Sequence, residues 1–152
     1  MAAETDPRQL ERRARLAPGG PVGVTEPMIH ALVHGFYAQV RADPVLGPIF
    51  NGHVDDWDAH LAKLCDFWSS VLLMTGRFKG APMRPHVQLP EIEPAHFDRW
   101  LDLWRGAARR LCPPPAAALF IAKAEMIAQS LQLGISINRG EFPAQATSAP
   151  GG

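Results

Sequence analysis

Apolar side chains recur at helical spacing in four stretches of the chain, and prolines separate one stretch from the next. In the first stretch, apolar residues at positions i, i+3, i+4 and i+7 form one face of a helix. These residues are Ile29, Leu32, Val33, Phe36, Tyr37 and Val40. Thr25 is the predicted N-cap, and Pro27 stands in the first turn. Since no stretch alternates apolar and polar residues as a half-buried strand does, the sequence predicts an all-α fold.

The other three predicted helices pack with the first around one core. They run from about Asp55 to Met74, from near Pro94 to Leu111, and onward from the triple proline at 113–115. Segment 76–90 contains three prolines and two glycines, which exclude a regular helix there. Ile49-Phe50 is expected to be a short apolar connector after the first helix.

Length and charge limit the class of protein. The chain has 152 residues, which at roughly 150 residues per domain predicts one domain. Lys+Arg and Asp+Glu both number 15, so the basic excess that is typical of a nucleic-acid-binding protein is missing. The longest apolar run, from Ala116 to Ala122, is too short to cross a bilayer. We therefore expect neither nucleic acid nor a membrane as partner.

The ends of the chain differ from its middle. Residues 1–23 combine arginines with Pro18-Gly19-Gly20-Pro21, and residues 138–152 end in small residues. We expect a disordered leader (1–23), a folded domain (24–137) and a disordered tail (138–152). No apolar stretch that resembles a secretory signal follows the first arginines, and two distant cysteines suit reduced thiols. These features predict a cytoplasmic protein.

Four of the six histidines are interpreted as structural or surface residues. His30 and His34 have the i, i+4 spacing that can hold a metal, but no third ligand stands beside them. We expect them to be polar residues at the boundary of the first helix. His53 follows an Asn-Gly turn, and His96 stands near a helix start, so both are expected at the periphery.

The two remaining histidines, with the aromatic residues, could serve a cofactor. His60 lies on the apolar stripe of its helix, and His86 is held between Pro85 and Leu89-Pro90. Four tryptophans and one tyrosine also fall on helical stripes. Either they form a bulky core, or they box in a large flat cofactor and aim a few polar groups at it. No phosphate-binding glycine loop, cysteine cluster or nucleophile elbow is present, so haem fits best among the cofactors.

Six segments, in order and spacing, give the chain a more specific resemblance. They are Gly35-Phe36-Tyr37-Ala38-Gln39-Val40-Arg41, Leu46-Gly47-Pro48-Ile49-Phe50-Asn51, Trp57-Asp58-Ala59-His60, Phe67-Trp68, Met83 to Pro90, and His96-Phe97-Asp98-Arg99-Trp100-Leu101. With them the chain resembles the group III (P group) truncated haemoglobins, from about Val24 to Ile137. The resemblance implies a globin-like, two-over-two helical sandwich around haem b.

The resemblance also implies roles for particular residues. His86 matches the proximal iron ligand, Tyr37 and Trp100 match distal hydrogen-bond donors, and His60 matches the distal gate. The expected haem-lining residues are Phe36, Phe50, Leu64, Phe67 and Trp68. Lys63 and Arg84 are candidate partners of the haem propionates.

The implied function is reversible binding of O2, and also of NO and CO, at ferrous iron. The resemblance leaves open whether the protein is an enzyme, either an NO dioxygenase or a peroxidase-like enzyme that receives electrons from a separate reductase. The alternatives are a gas sensor, an O2 carrier, or a helical interaction domain without haem. We expect a monomer or a weak dimer.

Overall fold

The computed structural model describes residues 7–79 and 92–138, and within these two ranges every regular element is a helix. The helices are α1 (Pro7–Leu16), α2 (Glu26–Ala42), α3 (Leu46–His53), α4 (Trp57–Leu73), α5 (Pro94–Leu111) and α6 (Pro114–Asn138). The predicted all-α class is confirmed.

Helix α2 lies at the centre of the architecture, since it packs against α3, α4 and α5, while α5 also packs along α6. It begins as predicted: the Thr25 hydroxyl accepts a hydrogen bond from the Met28 amide at 3.3 Å. Its predicted apolar face is buried along its whole length. The helix ends at Ala42, because Asp43 precedes Pro44 and a residue before a proline disfavours the helical conformation.

The core is built around Trp104, which is fully buried and donates its indole N–H to the Phe120 carbonyl at 3.1 Å. Trp68 stacks on it with ring centroids 4.8 Å apart, and Trp100 lies nearly parallel to it at 5.9 Å. Phe36 of α2 meets the Trp104 ring edge-on at 4.9 Å. A row of three indoles therefore runs from α4 through α5.

Residues 17–24 differ from the loose leader that their composition suggests. Ala17 and Val24 are buried, and the Gly19 amide donates to the Leu72 carbonyl at 2.8 Å. A Cβ atom at position 19 would lie 2.9 Å from that carbonyl oxygen. The glycine therefore permits a close approach of two backbones, where sequence reasoning saw only a flexible turn.

The predicted connector at Ile49-Phe50 is part of a helix, α3. Asp43 explains why a helix starts here: its Oδ2 accepts hydrogen bonds from the Val45 amide at 3.0 Å and the Leu46 amide at 2.8 Å. These bonds satisfy backbone donors that the first turn of a helix leaves without partners. Asp43 therefore ends α2 and starts α3, so this short apolar stretch becomes helical.

Two expectations on the class of protein can be compared with the described ranges. None of the helices described there is both long and apolar enough to cross a membrane. Cys65 and Cys112 are free thiols, as predicted, and burial raises the pKa of each.

Candidate functional site

The side chain of Tyr37 points from α2 into the interior, and only 5% of the residue is exposed. Burial raises the pKa of Tyr37 to about 12, and a hydrogen bond with the Trp100 side chain offsets part of that rise. The phenol therefore keeps its proton at physiological pH. The site holds a neutral hydroxyl in apolar surroundings.

Tyr37 and Trp100 differ in what they can offer a ligand. An indole N–H can only donate, whereas a phenol can both donate and accept. The neutral Tyr37 hydroxyl can therefore donate its O–H to an acceptor in the pocket. The resemblance implies that both groups donate to one bound ligand, and these roles stay predictions.

Aromatic rings from three helices surround the Tyr37 ring. Phe36 of α2 lies 4.6 Å away between ring centroids, and Phe50 of α3 lies at 6.0 Å. Trp57 and His60 of α4 lie at 6.0 and 6.2 Å. Several residues that the sequence assigned to one site are therefore adjacent.

Trp57 belongs to a cluster that sequence reasoning missed, which we call the rim cluster: Arg41, Asn51 and Trp57. The Trp57 indole N–H donates to Asn51 Oδ1 at 3.2 Å, and Asn51 Nδ2 donates to the Arg41 carbonyl at 3.3 Å. The Arg41 guanidinium lies 4.7 Å above the Trp57 ring. The ring meets His60 edge-on at 5.5 Å. In the sequence, the i, i+3 spacing of Trp57 and His60 already indicated that these two side chains are neighbours on one helix.

A charged pair, Asp43 and Arg99, is a second feature that sequence reasoning missed. Arg99 Nε donates to Asp43 Oδ2, and Arg99 Nη2 donates to Asp43 Oδ1, both at 2.7 Å. These hydrogen bonds hold the pKa of Asp43 at about 2, below its ordinary value of 3.8. The carboxylate is therefore ionised at neutral pH, although it is almost wholly buried.

One face of α4, which includes His60, forms a largely apolar wall beside the Tyr37 ring. Trp57, His60, Leu64 and Phe67 lie on that face, and all four are half-buried. Phe50 and Trp100 are also half-buried against the core. These surfaces, with one neutral hydroxyl donor, fit a flat apolar group that carries a small polar ligand, and they therefore fit haem.

Other predicted haem contacts have different surroundings. Phe36 is fully buried and Trp68 is 3% exposed, so both lie in the core behind the half-buried wall. Lys63 is exposed on α4. Arg84 and His86 lie outside the described residues. The haem-binding roles of all five stay predictions.

The other histidines show structural roles or exposed positions. The His30 and His34 rings stack at 3.8 Å, and His34 Nδ1 hydrogen-bonds the His30 carbonyl. His96 Nδ1 accepts a hydrogen bond from the Glu93 amide at the start of α5, and His53 is exposed at the end of α3. Among residues 7–79 and 92–138, no three His, Cys, Asp or Glu side chains converge to hold a metal.

Comparisons with known proteins point to one family. No family model matches the chain. The group 3 truncated hemoglobin ctb of Campylobacter jejuni is 32% identical over 113 residues, which cover 72% of this chain and 89% of that protein. The crystal structure of a group III truncated hemoglobin from Campylobacter jejuni superposes with a TM-score of 0.67 and 34% identity, over 72% of this chain and 89% of that one.

Proposed function

The chain belongs to the group III truncated haemoglobins, and on that premise we propose that it binds haem b and takes up O2 reversibly. When bound, haem supplies a ferrous iron that takes O2, NO or CO as a ligand and shifts electron density onto it. His86 would ligate the iron. Phe50, Leu64 and Phe67 would contact the haem faces, with Phe36 and Trp68 behind them, and Lys63 and Arg84 would pair with the propionates.

The observation that carries this proposal is the buried Tyr37 hydroxyl. Burial raises the pKa of Tyr37 to about 12, so the hydroxyl keeps its proton and can donate it to a polar ligand in the pocket. A hydrogen bond to a charged or strongly polarised acceptor is worth roughly 1.5–3 kcal/mol. Since each 1.4 kcal/mol is about tenfold in a rate or equilibrium constant, Tyr37 slows O2 release by roughly ten- to a hundredfold. CO is less polar and gains much less.

His60 controls access to this pocket and does not ligate the iron permanently. It stands at the half-buried boundary of α4, with its ring 6.2 Å from Tyr37 and 5.5 Å from Trp57. Asn51 and Arg41 of the rim cluster hold Trp57, one at its indole N–H and the other at its ring face. Movement of the imidazole alone would therefore open the pocket while Trp57 stays in place.

Slow release of O2 suits chemistry on the ligand better than delivery. Conversion of NO and O2 to nitrate consumes one electron per turnover, and the sequence contains no flavin or nicotinamide motif. A separate reductase would supply that electron, as it would for a peroxidase-like reaction. A gas sensor or O2 carrier is the alternative. We propose a cytoplasmic protein that is a monomer or a weak dimer.

Haem titration tests the proposal. Stoichiometric uptake with a sharp Soret band, and a ferrous form that binds O2 and CO, are expected. A protein that takes up no haem would instead be a helical interaction domain. If the protein binds haem, a turnover assay with NO and an added reductase distinguishes an enzyme from a sensor or carrier.

A further inference from the structure

The Asp43 carboxylate receives four hydrogen bonds, three at Oδ2 and one at Oδ1. Two come from the Arg99 guanidinium, at 2.7 Å each, and two come from the amides of Val45 and Leu46. The residue is 9% exposed. A bidentate pair of this kind fixes both the distance and the angle between its partners.

This pair joins the two helices that carry the distal donors. Asp43 follows Tyr37 by six residues at the end of α2, and Arg99 directly precedes Trp100 in α5. The Cα atoms of Arg99 and Trp100 are therefore about 3.8 Å apart. Any shift of α5 relative to the end of α2 must displace Trp100 and strain the ion pair together.

The aromatic contacts beside the donors provide less precise positioning. Phe36 meets Trp100 edge-on at 5.5 Å, a type of contact that tolerates small lateral shifts. A hydrogen bond donated by the indole N–H, to Tyr37 or to a ligand, does not tolerate them, since such bonds weaken steeply with a poor angle. A directional restraint between α2 and α5 is therefore needed close to Trp100.

We propose that Asp43 and Arg99 are positioning residues for the distal site: their bidentate pair holds α5 where the Trp100 indole packs against Phe36 of α2, next to Tyr37. This inference rests on the proposed function only in its consequence for O2. The position of the indole that it explains is a property of the protein chain itself.

The same helix offers a matched control. Arg105 of α5 donates to Glu125 Oε2 of α6 from Nε at 3.1 Å and from Nη2 at 2.8 Å. Its carboxylate partner is 45% exposed, and Arg105 is five residues beyond Trp100. Arg105→Met therefore removes an interhelical ion pair from α5 without touching the α2 contact.

The first measurement is the indole ¹H–¹⁵N resonance of Trp100, assigned with Trp100→Phe, in the diamagnetic ferrous CO complex. In Arg99→Met this resonance should move upfield, toward that of an indole without a hydrogen bond, and it should stay in place in Arg105→Met. An unchanged resonance in Arg99→Met overturns the proposal.

The second measurement is the rate of O2 release beside that of CO release. Arg99→Met should speed O2 release about 2- to 5-fold, no more than Trp100→Phe does, through the weakened Tyr37 donor, with a clearly smaller change in CO release. Equal acceleration of both gases, or wild-type rates for both, overturns the proposal. Arg105→Met should match wild type.

Two milder variants keep the test decisive if Arg99→Met does not fold. Arg99→Lys keeps the positive charge but loses the bidentate geometry of the guanidinium. Asp43→Asn loses the negative charge but keeps an oxygen that can accept from the Val45 and Leu46 amides. Both should shift the Trp100 resonance in the same direction, and an unmoved resonance in both rejects the pair. If the wild type takes up no haem, the proposed function fails, and the indole resonance of the full-length chain still decides this inference.

Discussion

Tyr37 and Trp100 come from different helices, yet both rings meet Phe36 edge-on, at 4.6 and 5.5 Å between ring centroids. Tyr37 is the more deeply buried of the two, at 5% exposure, while Trp100 is half-buried. We expect the two donors to act in series: the Tyr37 O–H contacts a ligand, and Trp100 strengthens that donor through the phenol oxygen. Substitutions at the two positions should therefore differ in the size of their effect.

Tyr37→Phe should speed O2 release about 10- to 100-fold, because it removes the proton that contacts the ligand. Trp100→Phe should have a smaller, several-fold effect, because Tyr37 still donates. The double variant should match Tyr37→Phe, since Trp100 acts through the missing hydroxyl. Stopped-flow O2 release measures this, and CO release is the control. Additive effects of the two substitutions would contradict the series arrangement.

His86→Gly should lose most of the haem that the wild type retains, and added imidazole should restore the five-coordinate ferrous spectrum. The reason is that imidazole can refill the position that the side chain left. Absorbance during an imidazole titration measures the recovery. His96→Gly is the control, since His96 caps α5. Normal haem retention in His86→Gly would assign the ligand elsewhere.

His60→Ala should speed CO association several-fold, because a gating ring leaves the entrance. Trp57→Phe should have a smaller effect, since it keeps the ring and loses only the hydrogen bond to Asn51. Flash photolysis measures both rates. The ferric protein at neutral pH should not be six-coordinate low-spin. A low-spin spectrum that becomes high-spin in His60→Ala would show permanent ligation.

Gly47→Ala should lower the free energy of unfolding by about 1–3 kcal/mol, as overpacking does. A Cβ atom there would lie 2.6 Å from the Arg41 carbonyl oxygen, which is fixed in α2. Gly35→Ala is the matched control, since its Cβ meets only the Leu111 methyl, on a side chain that is 41% exposed and can move. Urea unfolding compares them, and equal losses would refute the steric argument.

Asp43 should make stability depend on pH between about 4 and 2. Its pKa is lower in the folded protein, about 2 against 3.8, so the ionised carboxylate stabilises the fold above that window. The contribution disappears as the pH falls through the folded value. Asp43→Asn should therefore be less stable than wild type near neutral pH, with the difference narrowing in acid. Asp102→Asn, at a 77% exposed carboxylate, is the control for urea unfolding at each pH.

Local pattern predicted most of the helices and the family motifs predicted the central site residues. The Thr25 cap and the buried face of α2 follow from residues within a few positions of one another. Tyr37 and Trp100 were assigned through the resemblance; both rings contact Phe36, and their ligand-binding roles stay predictions.

Features that depend on distant partners escaped the sequence. Asp43 was interpreted only as part of a helix break, because its partner Arg99 is 56 residues away and no spacing rule connects them. Gly19 was taken as a sign of looseness, because the carbonyl it approaches belongs to Leu72. In both cases the residue type permitted the contact, and only the tertiary arrangement determined it.

The row of Trp68, Trp104 and Trp100 also has an optical consequence. Its neighbouring planes are inclined by only 16° and 7°, with centroids 4.8 and 5.9 Å apart. Aromatic side chains fixed in an asymmetric core give a near-ultraviolet circular dichroism signal, which disappears when the packing is lost. We therefore expect this row to contribute to that signal and the contribution to change when Trp100 leaves the row, which would report on the distal indole without any added label.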